Sequence, residues 1–212
     1  MRRHDACVNG GLNTSPPQTT RSQLIRSACR LFAAHGYAGA SISAIARELG
    51  LSKQALLHHF GSKDALYALA VEQTAAEMVQ LLFDAMQDDR PPEDQLEAFF
   101  AAFMAQMQAD PAPTRLLIRA MLDHAALPTA KAGASLHTLV EGLVATVQAT
   151  QRWQDAGMPR ALVVVTQLLG AASLMETTGT SLEVMFGRAA HDGARDQNAV
   201  ILAELVSGTL RG

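Results

Sequence analysis

Two short helical patterns, each opened by a serine, meet at a single glycine in the run SISAIARELGLSKQALLHHF, residues 41–60. Ile42, Ile45, Ala46 and Leu49 share one face of the first pattern, with Ser41 as its cap and Gly50 as its stop. Ser52 caps the second, KQALLHH, whose Leu56 faces the same core. These residues meet the mechanical needs of a helix-turn-helix. Ala46 is small where the helices must approach closely, Gly50 offers the positive φ of a sharp turn, and Ile45, Leu51 and Leu56 lock the crossing. With those positions turned inward, Ser43, Lys53, Gln54, Ala55, His58 and His59 are left facing out. A core helix has no use for so many polar side chains, whereas a recognition helix does. The plainer reading is a solvated surface helix in an all-helical protein.

The rest of the chain is punctuated in the same way. A Thr20-x-x-Gln23 capping box opens TTRSQLIRSACRLFAAHGY, whose Leu24, Ile25, Ala28, Leu31 and Phe32 recur at helical spacing before Gly36 closes it. Gly61 and Ser62 break the chain again, and Ser62 caps a longer helix that starts KDALYALAVEQ and runs to about Met86, ahead of DDRPP at 88–92. Further helices are expected at about 93–109, 114–124 (halted near Pro128), 131–154, 160–177 and 195–210, with EVMFGRAAHDG as an irregular connection. Aromatic residues make up only 5%, and Ala, Leu, Gln and Met are abundant, so the class is all-α. The expected division is a flexible arm at 1–18, a three-helix helix-turn-helix domain at 19–66 and a larger helical domain at 67–212.

The net charge of −3 hides an asymmetry: residues 1–70 carry +5 and the remainder −8. Only the basic end is suited to a polyanion. Two cysteines, Cys7 and Cys29, make neither a disulfide framework nor a zinc spacing, which fits a reducing cytoplasm. The start MRRHDACVNGG lacks the apolar segment of a secretory signal. The apolar run ALVVVTQLLGAASLM at 161–175 is interrupted by Thr166, Gln167 and Ser173 and falls short of a membrane span, so it reads as a buried helix. His124 and His137 stand alone, and the chain offers no paired carboxylates, Ser/His/Asp order, phosphate-binding glycine loop or metal spacing. The expectation is no enzyme, no metal and no cofactor. The rival is an all-α enzyme or carrier in which the helix-turn-helix is structural.

The segment HGYAGASISAIARELGLSKQALLHHFGSKDAL resembles the amino-terminal domain of the TetR family of bacterial transcriptional regulators, through LFAAHGY, the turn ELGLSK and the closing HHFGSKDAL. The resemblance covers about residues 20–70. It implies a homodimeric repressor that a small-molecule effector releases from a palindromic DNA operator. An activator, or a regulator governed by a protein partner, is the alternative. Carried over by position, Ser41 and Ser43 are phosphate or base contacts, and Lys53, Gln54 and Ala55 are base readers. His58, His59 and Lys63 are phosphate contacts, aided by the start of the fourth helix, and Tyr37 flanks the same backbone. Leu57 stands where many members of the family carry a tyrosine. Leucine donates nothing to a phosphate, so that contact is lost or passes to His58. Arg2 and Arg3 of the arm are further candidate contacts.

The second domain says less. In this domain, to which the resemblance assigns effector binding and dimerisation, Phe99, Phe100, Phe103, Met104, Met107, Leu117, Ile118, Met121 and Leu122 form an apolar, methionine-containing set compatible with a ligand cavity. Phe99, Phe103, Met107, Leu117 and Met121 are the pocket candidates, and Trp153 is a candidate to stack on the ligand. Plain core packing accounts for the same residues. Leu162, Val165 and Leu169, with Ile201 and Leu205, lie on the two helices that the resemblance pairs with their mates as a four-helix bundle.

Overall fold

A computed structural model describes residues 20–86, 89–122 and 133–212, and its regular elements are all α-helices. They are α1 (Thr20–Gly39), α2 (Ile42–Glu48), α3 (Lys53–Phe60), α4 (Lys63–Ala85), α5 (Pro92–Ala109), α6 (Ala112–Leu122), α7 (Ala134–Ala149), α8 (Met158–Thr177), α9 (Gly179–Phe186) and α10 (Arg188–Arg211). The expected arm with Arg2, Arg3 and Cys7 lies outside the described residues, as do His124 and Pro128.

Local chemistry sets the first four helices. Ser41, Ser52 and Ser62 each accept a hydrogen bond from the backbone N–H three residues on, at 3.1 Å, and so begin α2, α3 and α4 where the sequence expected. Gly36 breaks α1 at φ +71°, leaving Tyr37–Gly39 as a separate last turn. Phe32, Ile45, Leu56, Leu66 and Tyr67 are buried together beneath this end of the molecule. The expected division at 66/67 falls inside α4, which runs unbroken across it. There it packs on α7, so closely that a Cβ on Gly142 would stand 2.8 Å from Leu82 Cδ2.

The second half departs from expectation in three respects. The seventh helix ends at Ala149 rather than near 154, because Thr150 folds its hydroxyl back onto the Val147 carbonyl at 2.7 Å and a turn follows. The connection expected to be irregular is helical: Gly187, at φ +84°, ends α9, and its carbonyl accepts the His191 N–H at 3.1 Å to start α10. Arg195 on α10 then meets the buried Glu176 of α8 at 3.3 Å.

The third correction concerns 161–175. Here α8 starts earlier, with Pro159 in its first turn, and spans 20 residues, so it is long and apolar enough to cross a membrane, at a mean hydropathy of 1.4. Its polar interruptions do not break it, because Thr166 and Ser173 bond back to the Leu162 and Leu169 carbonyls at 2.9 and 2.7 Å. Nor is it wholly buried: 33% of that apolar window is covered, by a face formed from Ala161, Val164, Val165, Leu168 and Ala172.

Candidate nucleic-acid interface

The turn between α2 and α3 is held by backbone geometry. Leu51 N–H donates to the Ala46 carbonyl at 2.8 Å and Gly50 N–H to Arg47 at 3.1 Å, with Gly50 at φ +65°. Ile45, Ala46 and Leu56 are buried inside the turn, and Phe60 at the end of α3 is buried beside them. Those anchors fix which side of α3 faces water. Lys53, Gln54, His58 and His59 are exposed on it, Ala55 and Leu57 are half-buried, and Ser41 and Ser43 are exposed at the start of α2. All the polar positions expected to face out therefore do so. Ser41 has an internal use as well, since its hydroxyl accepts the Ala44 N–H.

Lys63 and Tyr37 come together beside this face. The Lys63 ammonium lies 4.3 Å from the centre of the Tyr37 ring. The Tyr37 hydroxyl donates to Asp64, and this bond raises the phenol above its ordinary value, with desolvation adding to the rise. The ring edge meets Tyr67 at 5.2 Å, and Tyr67 in turn meets Phe32 at 5.0 Å. Asp64 was not singled out in the sequence. It lies 27 residues from Tyr37, and no periodic pattern links the two positions.

In the second domain, the four residues Phe99, Phe103, Met107 and Leu117 are buried in the core, whereas Met121 is 46% exposed. None of them lines the groove of about 820 Å³ between α5 and α10, whose floor is Phe100, Met104, Leu202 and Val206. Helical phase explains the difference: Phe100 and Met104 sit on the neighbouring stripe of α5, facing α10. Trp153 lies in the turn after α7. Its indole N–H donates to the Thr209 carbonyl at 2.9 Å, and the Arg152 and Arg160 guanidinium groups lie 5.5 and 5.6 Å from its ring centre. The indole thus ties α10 to the turn.

On the outer side of α8 and α10, Ile201 is 59% and Leu205 46% exposed, joined by Val163, Leu174 and Val200. Leu162 and Leu169 are half-buried. Val165 is 1% exposed and points into its own core, so it is withdrawn from the expected partner-facing set. The exposed positions Val163 and Leu174 both lie about half a turn round α8 from Val165, so the open face is the opposite one.

Residues 24–70 match the model for bacterial regulatory proteins of the tetR family. The HTH-type transcriptional repressor AcnR of Corynebacterium glutamicum is 35% identical over 66 residues, covering 31% of this chain and 35% of that protein. The chain therefore spans about a third of the length of that curated relative. The HTH-type transcriptional activator FasR of Mycolicibacterium smegmatis is 30% identical over 105 residues, 50% of this chain and 48% of that one. For the fold, a TetR-like transcriptional regulator from Rhodococcus sp. RHA1 superposes with a TM-score of 0.68 at 21% identity, covering 94% of this chain and 100% of the other. The likeness in fold runs through nearly every described helix, the likeness in sequence through the capped helix pair, and residues 24–70 form a domain of the tetR family of bacterial regulatory proteins.

Proposed function

We propose that the protein is a homodimeric, sequence-specific DNA-binding regulator of transcription, a repressor that a small-molecule effector releases from a palindromic operator in the bacterial cytoplasm. One observation carries the reading. The eight-residue α3 buries Leu56 and Phe60 and turns Lys53, Gln54, His58 and His59 outward, at the basic end of a chain whose remainder is acidic. Lys and Gln side chains donate to guanine or read adenine edges, the Ala55 methyl group fits against a thymine methyl, and His58, His59 and Lys63 suit the flanking phosphates. Tyr37, Ser41 and Ser43 complete the surface on this reading.

Two further observations support the rest. The exposed apolar row Val163, Leu174, Val200, Ile201 and Leu205 has the composition of a subunit interface, and a two-fold pairing through α8 and α10 would set two α3 helices about 34–36 Å apart, one turn of duplex. The α5–α10 groove has the volume of a small-molecule site and an apolar floor with Arg90, Asp94 and Glu97 at one end, so it is the effector site of this reading. Catalysis has no part in it. An activator is the second reading, favoured by the likeness to FasR over about half of each chain.

Selection of bound sequences from a random duplex library, with the wild type and with Gln54→Ala, tests the proposal. The expected result is a palindrome that loses preference at matching positions in both halves on Gln54→Ala, at a cost of about 1–3 kcal/mol per base contact. A folded dimer that enriches no sequence, with or without candidate effectors, would return the helix-turn-helix to a structural role.

A further inference from the structure

We propose that Asp64 positions the phosphate-facing pair Tyr37 and Lys63: its carboxylate holds the Tyr37 ring by the hydroxyl, and the held ring carries the Lys63 ammonium. The inference rests on the DNA-binding reading above and assigns to that surface a residue of the wrong sign for a simple DNA contact.

An acid beside a surface meant for a polyanion opposes it. Asp64 is exposed in the first turn of α4, next in sequence to Lys63, and a carboxylate at a helix start is otherwise an ordinary stabilising feature. Here it has a further engagement, because it accepts the Tyr37 hydroxyl from the far side of the Gly36 break in α1. The ring so held is fixed from two directions, at its hydroxyl by Asp64 and at its edge by the buried Tyr67, itself braced on Phe32. The result is a rigid aromatic column running from core to surface, with Lys63 resting on its outer face at 4.3 Å. A lysine that wanders over many rotamers loses that freedom when it meets a phosphate, whereas one already resting on a ring has less to lose and keeps its N–H donors open.

Two consequences follow for the surface. The Tyr37 hydroxyl is spent inside the protein, so the ring is the part of Tyr37 that serves DNA binding. The Asp64 charge weakens binding to every duplex, while its acceptor atom strengthens binding through Lys63. Substitution separates these effects, since Asn and Ala both remove the charge and only Asn keeps an acceptor.

The test measures affinity of the full-length protein for its selected duplex and for a random duplex across a salt series. The variants are Asp64→Asn, Asp64→Ala, Tyr37→Phe, Lys63→Ala and the double Tyr37→Phe/Asp64→Ala. Asp64→Asn is expected to bind both duplexes about threefold to tenfold more tightly than Asp64→Ala, the span of one net hydrogen bond. Tyr37→Phe should weaken the wild type by a similar factor and change nothing in the Asp64→Ala background. Tyr37→Phe relative to the wild type, and Asp64→Ala relative to Asp64→Asn, should each lose part of the roughly one unit of salt slope that Lys63→Ala removes. Equal affinities for Asp64→Asn and Asp64→Ala, or an undiminished Tyr37→Phe effect in the Asp64→Ala background, overturn the proposal. So does a Tyr37 phenol, followed spectroscopically, that titrates alike in the wild type and in Asp64→Ala. A wild type that binds no duplex even at low salt overturns the DNA-binding reading and the positioning role together. In that case a phenol that still moves in Asp64→Ala would mark the contact as structural only.

Discussion

The helices at the two ends of this molecule begin in different ways. The helices α2, α3 and α4 each start on a serine whose side chain caps the first turn, whereas α5, α7, α8, α9 and α10 start without a side-chain cap. The surfaces differ in the opposite sense: α3 turns polar side chains to water, and α8 and α10 turn out Val163, Leu174, Ile201 and Leu205. The difference teaches where each part of the fold is specified. At the first end, residues three or four apart fix the helices and their faces. At the second, helices are fixed by what they pack against, and some of that partner surface belongs, on the reading proposed above, to a second copy.

The strongest test of the comparison lies at the locally specified end. Leu56→Ala empties a fully buried position between α2 and α3 and should lower the unfolding free energy by about 2–5 kcal/mol, measured by urea denaturation. A smaller loss would mean that the capped turn stands without its core. Next in size, Ile201→Glu with Leu205→Glu should weaken the dimer by about 2 kcal/mol or more, read by sedimentation over a dilution series. Helical content should hold, because both side chains already face out; an unchanged association constant would send the search for the interface elsewhere.

Ser52→Ala should cost about 1 kcal/mol in thermal unfolding, and Thr178→Ala less, because the Thr178 hydroxyl caps no N–H of α9 and only donates back to the Leu174 carbonyl at 2.6 Å. Similar losses at the two sites would erase the distinction between the ends. The smallest effect is a pH dependence. Burial raises the Cys29 thiol, and the bond to Asp64 raises the Tyr37 phenol. An acid raised in the folded state adds stability that is full below its unfolded value and is lost as pH rises through the folded one. Stability should therefore fall from about pH 8.5 upward, with the Tyr37 share reduced in Asp64→Ala, where only desolvation still raises the phenol.

The same contrast explains what the sequence made legible. Ser41, Ser52, Ser62, Gly36 and Gly50 act on their neighbours in the chain, so the helices they bound and the outward set on α3 could be read from spacing alone. The segment around Val184, Met185 and Phe186 could not: α9 buries none of its residues and is stopped by Gly187, so no apolar stripe announced it. Val165 misled for a related reason, because an apolar helix carries little record of which face its own chain covers. The α5–α10 groove depends on Phe100 and Met104 facing α10 while Phe99 and Phe103 face inward, a phase that adjacent phenylalanines conceal. Asp64 and Tyr37 meet only because α1 breaks and α4 passes beneath it.

The continuity of α4 has a mechanical consequence. Its 23 residues make a rod about 34 Å long, with Lys63 and Asp64 at one tip and Ala85 packed among the later helices at the other. A rod without a joint passes on angle rather than contact. If it pivots near its middle, a tilt of about 5° carries each tip through roughly 1.5 Å, half the length of a hydrogen bond. A shift of about 1 Å of Leu82 against Gly142 is thus matched, at the other end, by one large enough to decide whether a phosphate is met.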